Sequence, residues 1–385
     1  MKPRVRRIVI VVLSILAVVA AGGAALVIPR WASIQTLLGF QAAVGEDLEA
    51  YDAPEGFRLL ADEAAFGVAR AWHLPGPKAR SPAIVFVHGV APEGIRDGRI
   101  IHAARAFHAA GFTVVVPELP AMIDPLTEGE PGGPVAGVLE AMAAGRISHV
   151  HPERIGVVGV SVGGGIALRG CARFRAEGGT GLRAMLLIGA ADDIRRPAVA
   201  WFEAEDHAEE SDGSLRWEQE NAASFARNFL LRAGLVRDLT HAEDKAALRA
   251  WMEEDPLPRE PLEGLVSEQA QRVAALLLAA PAERAAAREE VLARAAKRTQ
   301  NLSPALWPDE LTHLRGTAMF ILHGHGDPLV PISEAAHLAK RLREHTVVSV
   351  LESHMVGHTS VNEASFKEKL AHVVQMDDFF TMIGR

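Results

Sequence analysis

A chain of 385 residues with 49% hydrophobic content can hold one large α/β domain carrying an insertion, or two ordinary domains. Its formal charge of -8 and pI near 6.1 exclude the basic footprint of a polyanion binder, so nucleic acid is not an expected partner. The single cysteine, Cys171, excludes an internal disulfide and reads as a small packed residue; no zinc-type spacing, EF-hand loop, P-loop or dinucleotide fingerprint occurs, and no metal or cofactor is expected.

Lys2, Arg4, Arg6 and Arg7 precede an uncharged run from Ile8 to Ile28, which matches the roughly 20 apolar residues needed to cross a hydrocarbon core. The basic flank predicts a cytoplasmic N-terminus with everything after Pro29 on the outer face. Ala20, Ala21, Gly22 and Gly23 offer the alternative of a cleaved signal peptide followed by secretion. The apolar run continues through Ala24 to Ile28, which favours an uncleaved anchor.

Trp31 to Asp52 reads as a juxtamembrane helical linker, and Phe57 to Leu60 and Phe66 to Trp72 as short strands. Ala83 to Val87 is a continuous β-branched run of the kind buried on both faces of a parallel sheet, ending in His88-Gly89. Ile100 to Ala110 is helical and stopped by Gly111, Phe112 to Val116 is a strand stopped by Pro117, and Gly137 to Ala144 is helical. Ile155 to Gly159 is the next strand, followed by a helix to about Ala176, then the strand Leu182 to Ile188.

The next comparable strand, Ala318 to Leu322, arrives only after a gap far longer than a βαβ crossover needs. The gap holds an acid-rich stretch from Trp201 to Asp255, a break at Pro256, Pro258 and Pro261, and a helix-favouring stretch from Leu265 to Arg298. These are expected to form a helical cap over the sheet's C-terminal edge. A helix from Ser333 to Arg343, a strand from Val347 to Leu351 and a helix from Ala364 to Met382 close the chain. The predicted fold class is α/β: a doubly wound, mostly parallel sheet with a helical cap insertion and an N-terminal transmembrane helix. Its expected parts are an anchor or signal segment over 1–30, a linker over 31–54, a core in two parts over 55–194 and 313–385, and the cap over 195–312.

Gly159-Val160-Ser161-Val162-Gly163 lies between strand and helix, the setting in which a tight turn lifts a serine hydroxyl to where a base can take its proton. Asp327 follows the strand ending at Leu322, within Gly324-His325-Gly326-Asp327-Pro328, at the edge where catalytic groups gather in open α/β sheets. Asp192 and Asp193 are rival acids. The base candidates are His358 and His354 in the loop after the strand Val347 to Leu351, with His358 preferred because it stands far enough beyond the strand to swing back over the serine. Oxyanion donors are expected at the amides of Val162, at a helix start, and Val90, in the turn after the strand Ile84 to Val87. His88 reads as structural, and the His323 and His325 pair as too sparse for a metal site.

These motifs in this order resemble the α/β-hydrolase superfamily, and His151-Pro152-Glu153-Arg154-Ile155-Gly156-Val157 before the elbow is similar to its dienelactone-hydrolase and acyl-peptidase-like branch. The resemblance covers about residues 55 to 385. It implies a nucleophile at Ser161, an acid at Asp327, a base at His358 and oxyanion amides at Val90 and Val162. Val160 and Val162 depart from the histidine, glutamine or methionine often found beside the serine. The expected activity is cleavage of esters or thioesters of a small, lipophilic acyl substrate; a peptidase on the same residues and a non-catalytic exported interaction module are the alternatives.

Overall fold

The computed structural model describes residues 30–43, 50–127, 129–204, 215–252, 262–357 and 365–384. The run from Ile8 to Ile28 lies outside the described residues, among which no helix is long and apolar enough to cross a membrane.

Eight strands form one sheet in the order β1-β2-β4-β3-β5-β6-β7-β8. They are β1 (Arg58–Leu60), β2 (Ala71–Leu74), β3 (Arg80–Val87), β4 (Thr113–Pro117), β5 (His149–Val160), β6 (Leu182–Ile188), β7 (Ala318–Gly324) and β8 (Val348–Ser353). β2 runs antiparallel to both β1 and β4, and all other pairs are parallel. The expected strand over Phe66 to Trp72 is corrected: Glu63–Phe66 is a helical turn, capped by the Asp62 carboxylate and closed by Gly67 in the left-handed region. An aspartate that satisfies a free amide and a glycine at positive φ outweigh the apolar character of Ala64, Ala65 and Phe66.

Both sheet faces are covered, which explains the uninterrupted apolar strands. Ala83, Val85 and Val87 of β3 point to one core, while Ile84 and Phe86 point to the other. The first core is roofed by α3 (Gly133–Ala143), α4 (Val162–Ala176) and α11 (Ser333–Arg343); the second by α2 (Gly98–Ala109) and α12 (Phe366–Ile383). The helix α1 (Trp31–Ala43) is expected from the sequence as a linker and packs along α2. Thr36 Oγ1 donates to Ala106 O at 3.4 Å, Ser33 Oγ to Asp377 at 3.3 Å, and Arg30 pairs with Asp377.

Between β6 and β7 the insertion contributes α5 (Arg195–Glu203), α6 (Leu215–Leu231), α7 (Ala242–Met252), α8 (Glu268–Leu278), α9 (Pro281–Arg294) and α10 (Ala296–Leu302). It has its own apolar cluster, including Trp201, Phe202, Leu231, Trp251 and Val291. That cluster reaches the sheet through Val330, with Leu126, Val162 and Leu329 packed at its border. Three buried arginines donate to carbonyl oxygens, Arg227 and Arg284 within the insertion and Arg298 across to the core. Arg227 donates to Trp201 O, Arg284 to Phe202 O, Ala279 O and Ala204 O, and Arg298 to Ala121 O and Thr127 O.

At Gly165 in α4 a Cβ would collide with the backbone carbonyl of Leu302, whereas at Gly326 it would meet nothing. Gly165→Ala is expected to lower stability by about 1–3 kcal/mol despite its better helix propensity, and Gly326→Ala to leave it within about 1 kcal/mol. Denaturant unfolding of the two variants checks this, and equal midpoints would contradict the packing described.

Candidate active site

The chain turns from β5 into α4 at Ser161, whose φ of 55° and ψ of -132° place a side-chain-bearing residue in a region costing on the order of 1–3 kcal/mol. Only His149 shares a positive φ among the described non-glycine residues. Hydrogen bonds hold the strained turn: Ser161 N donates to Ile188 O at 2.8 Å, and Gly164 N to Ser161 O at 2.9 Å. Absent side chains allow the rest. A Cβ on Gly163 would strike the carbonyls of Val87 and His88, and one on Gly164 would lie 2.5 Å from the Ala190 Cβ.

Those contacts bring the turn after β3 against the serine. A Cβ on Gly89 would lie 3.1 Å from the Ser161 Cβ and 3.6 Å from its Oγ, so Val90 is one residue from the hydroxyl. Val162 opens α4, where backbone amides and the helix dipole favour negative charge. His88 is buried with Nδ1 2.7 Å from Gly89 O. Burial pushes its pKa down, and a neutral ring shaping the turn is the structural role expected from the sequence.

Asp327 sits in the loop after β7 with its side chain 1% exposed. Its Oδ1 accepts the amides of Leu329 at 2.9 Å and Val330 at 2.8 Å, and its Oδ2 lies 3.7 Å from His323 Nε2. His323 Nε2 donates to Val330 O at 2.8 Å, closing the loop on itself. From the insertion, the Trp201 indole donates to Leu329 O at 2.9 Å. The carboxylate is thus oriented by two amides and braced by a helix from a different layer.

The rival acids are occupied elsewhere. Asp192, wholly buried, receives Arg341 through Nε at 2.6 Å and Nη2 at 3.0 Å, and Arg196 Nη2 at 2.9 Å. Glu334 accepts the amides of Asp192 and Asp193 and pairs with Arg196 at 2.6 Å. Asp193 holds Arg195; burial raises its pKa, but the Arg195 hydrogen bonds outweigh this and the net shift is downward. This network joins the start of the insertion to α11 just beyond the Asp327 loop. Glu334, Arg196 and Arg341 carry no sequence motif, and only the fold brings them together.

The loop after β8 is anchored at its root. Ser353 Oγ accepts the amide of Met355 at 2.9 Å and lies 2.7 Å from Nε2 of the buried His372 on α12. A Cβ on Gly324 would strike Val356 O, so the loop crosses the end of β7 three residues before Asp327. His354 is exposed and stacks on His325, with ring centroids 4.3 Å apart and planes 15° from parallel. His358 lies outside the described residues. Ser161, Val162 and the Gly89-Val90 turn are therefore assembled at the elbow, with Asp327 two strands away and the root of the histidine loop beside it. Among the described residues no group of three potential ligands could hold a metal. The Ser353 and His372 pair has no signal in the sequence, since the two are joined only by the packing of α12.

Residues 135–252 match the family described as alpha/beta hydrolase fold. Similar solved structures include a carboxyl esterase from the mycorrhizal fungus Tuber melanosporum, 13% identical with a TM-score of 0.45, covering 88% of this chain and 90% of that one. A thermophilic carboxylesterase cloned from a metagenomic library is 13% identical with a TM-score of 0.48, covering 93% and 97%. The acylaminoacyl peptidase of Pyrococcus horikoshii is 13% identical with a TM-score of 0.40, covering 86% of this chain but 39% of that one. No curated protein matches the chain. The matched segment contains β5, the turn at Ser161, α4 and β6.

Burial lowers the pKa of His372 to about 4 from its ordinary value of 6.5. The unfolded chain takes up a proton near pH 6.5 that the folded protein refuses until about pH 4, so stability is flat above that window and falls as pH drops through it. His73, likewise pushed down to about 4 by burial, acts in the same direction. His372→Gln is expected to remove on the order of 1–3 kcal/mol of the loss between pH 7 and pH 4. Urea unfolding at the two pH values measures it, and an unchanged acid slope would show that His372 is not held neutral.

Proposed function

We propose that the protein is a serine hydrolase cleaving carboxylic esters or thioesters through an acyl-enzyme, with Ser161 as nucleophile, His358 as base and Asp327 as the acid that orients it. The observation that carries this reading is the strained Ser161 turn packed against Gly89, a conformation whose energetic cost is understandable where a hydroxyl must be presented for attack. In the proposed reaction Ser161 Oγ attacks the acyl carbon while His358 takes its proton. The oxyanion is received by the amides of Val90 and Val162, and the alcohol or thiol leaves with the proton returned by His358. Water then repeats the sequence to release the acid. The buried Asp327, already accepting two amides, supplies the fixed negative charge that stabilises the imidazolium.

The residues from His151 to Val157 support a place in the dienelactone-hydrolase and acyl-peptidase-like branch. The insertion over 195–312 is read as a cap, and the border residues Leu126, Val162 and Leu329, which pack against its apolar cluster, favour an apolar acyl group at the elbow. The basic and apolar N-terminal segment is read as an anchor holding the domain outside the cytoplasm.

Fluorophosphonate labelling is expected to be lost in Ser161→Ala, and labelling that survives would refute the assignment. Ester hydrolysis should fall by roughly 10⁴-fold or more in Ser161→Ala and His358→Ala. His354→Ala should retain most activity; the reverse pattern would move the base to His354. Across a series of p-nitrophenyl esters, kcat/KM should rise from acetate to medium acyl chains, by up to about tenfold for each one or two methylenes buried. A maximum at acetate would exclude an apolar acyl pocket.

A further inference from the structure

Among the described residues, the arginines that are exposed and lie within 4.0 Å of no carboxylate are Arg58, Arg80, Arg146, Arg154, Arg183, Arg315 and Arg343. All but Arg58 lie at one edge of the sheet. Arg80 begins β3 and pairs with His149 at the start of β5, whereas Arg58 pairs with His73 and stands level with Val115 and Val85, away from that edge. Arg183 is the second residue of β6, Arg154 reaches the carbonyl of Gly384 after α12, and Arg146, Arg315 and Arg343 stand in or before the turns that enter β5, β7 and β8. This is the edge where the parallel strands start, opposite the elbow and the Asp327 loop. Exposed carboxylates that share it include Glu153, Glu177, Glu344 and, on α12, Asp378, and Glu177 is already paired with Arg173.

In a chain with a formal charge of -8 this is a marked separation of charge. The arginines at this edge are distributed from β3 to β8 in the sheet order, a row of roughly 20 Å at the usual strand spacing. A second observation fixes the partner. The chain enters the described structure at Arg30, and the first turn of α1 lies beside the last turns of α2 and α12, through Thr36 to Ala106 and through Arg30 and Ser33 to Asp377. Those helices run antiparallel to the strands, so their ends belong to the same arginine-bearing side; Tyr51 lies at the other edge, its amide donating to Arg96 O. The uncharged run from Ile8 to Ile28 is therefore attached to the edge that carries the unpaired arginines.

We infer that this edge is a docking surface for the anionic headgroups of a lipid bilayer, and that it holds the domain with its catalytic edge facing away from the membrane. Each arginine near an anionic surface contributes attraction that decays within a Debye length. The opposite edge stands higher by the length of a strand; β7 has 7 residues, which span about 20 Å. Substrate then reaches the elbow from the aqueous side and not by sliding out of the bilayer. This inference does not depend on the proposed esterase chemistry.

The full chain in lipid nanodiscs tests it, with a fluorophore on an engineered cysteine at Thr180, in the exposed turn before β6, or at Glu93, exposed beyond β3. The sole native cysteine, Cys171, is buried with its thiol pKa pushed up, so labelling is selective. Energy transfer to a headgroup acceptor should be about twofold or more stronger from Thr180 than from Glu93 in discs of mixed phosphatidylcholine and phosphatidylglycerol. High salt, discs of phosphatidylcholine alone, and the triple variant Arg80→Glu, Arg154→Glu, Arg183→Glu should each lower it. Stronger transfer from Glu93, transfer that ignores lipid charge, or capture of duplex DNA by this edge in place of lipid would overturn the inference. Hydrolysis of a soluble ester by the triple variant, expected unchanged, shows that it is folded.

Discussion

Everything near the elbow is arranged around one conformational demand, a serine held at φ 55° between a strand and a helix. Such a residue persists only where its surroundings leave it no alternative. Here those surroundings are mostly main chain. The carbonyls after β3, the end of β6 and the last residue of α10 all press on the three glycines that follow Val162. Three segments remote in sequence thereby converge on one turn, and the insertion's last helix is among them. The elbow is thus part of the packing between layers and not a local loop.

A second set of constraints is electrostatic. Glu334 and Asp192 are buried carboxylates whose desolvation is costly unless every oxygen is met. Arg196, Arg341 and the amides of Asp192 and Asp193 meet them. Because Arg196 belongs to α5 and Glu334 to α11, the network joins the departure of the insertion from β6 to the helix that follows the Asp327 loop. Trp201 reaches Leu329 from the same first helix. Movement of the insertion relative to the sheet would have to break these bonds, which couples the acid loop to the covering layer.

Much of this was legible in the sequence, for a physical reason. A strand buried on both faces has no polar alternation to hide it, so β3, β5, β6 and β7 stood out as apolar runs, and the serine turn and Asp327 followed from where those runs ended. Short antiparallel strands at the border gave less: β2 has 4 residues, and the helical turn ending at Phe66 blurred its start. Partners that meet only through tertiary packing left no trace. Ser353 and His372 are 19 residues apart on different elements, and nothing in either neighbourhood announces that one will brace the other. The helix α1 was legible as a helix but not as a docked one, since its contacts come from α2 and α12.

The glycines at 163, 164 and 165 carry a consequence for selectivity. The first turn of the elbow helix contributes backbone but no side chains beyond Val162, and its glycines have no room to gain any. Under the proposed acyl chemistry, discrimination would then be written in residues borne by other segments, such as Leu126 and Leu329, which are free to vary without disturbing the serine. On that reading the serine turn and the choice of substrate are encoded in separate parts of the chain, so that one can be altered while the other is kept.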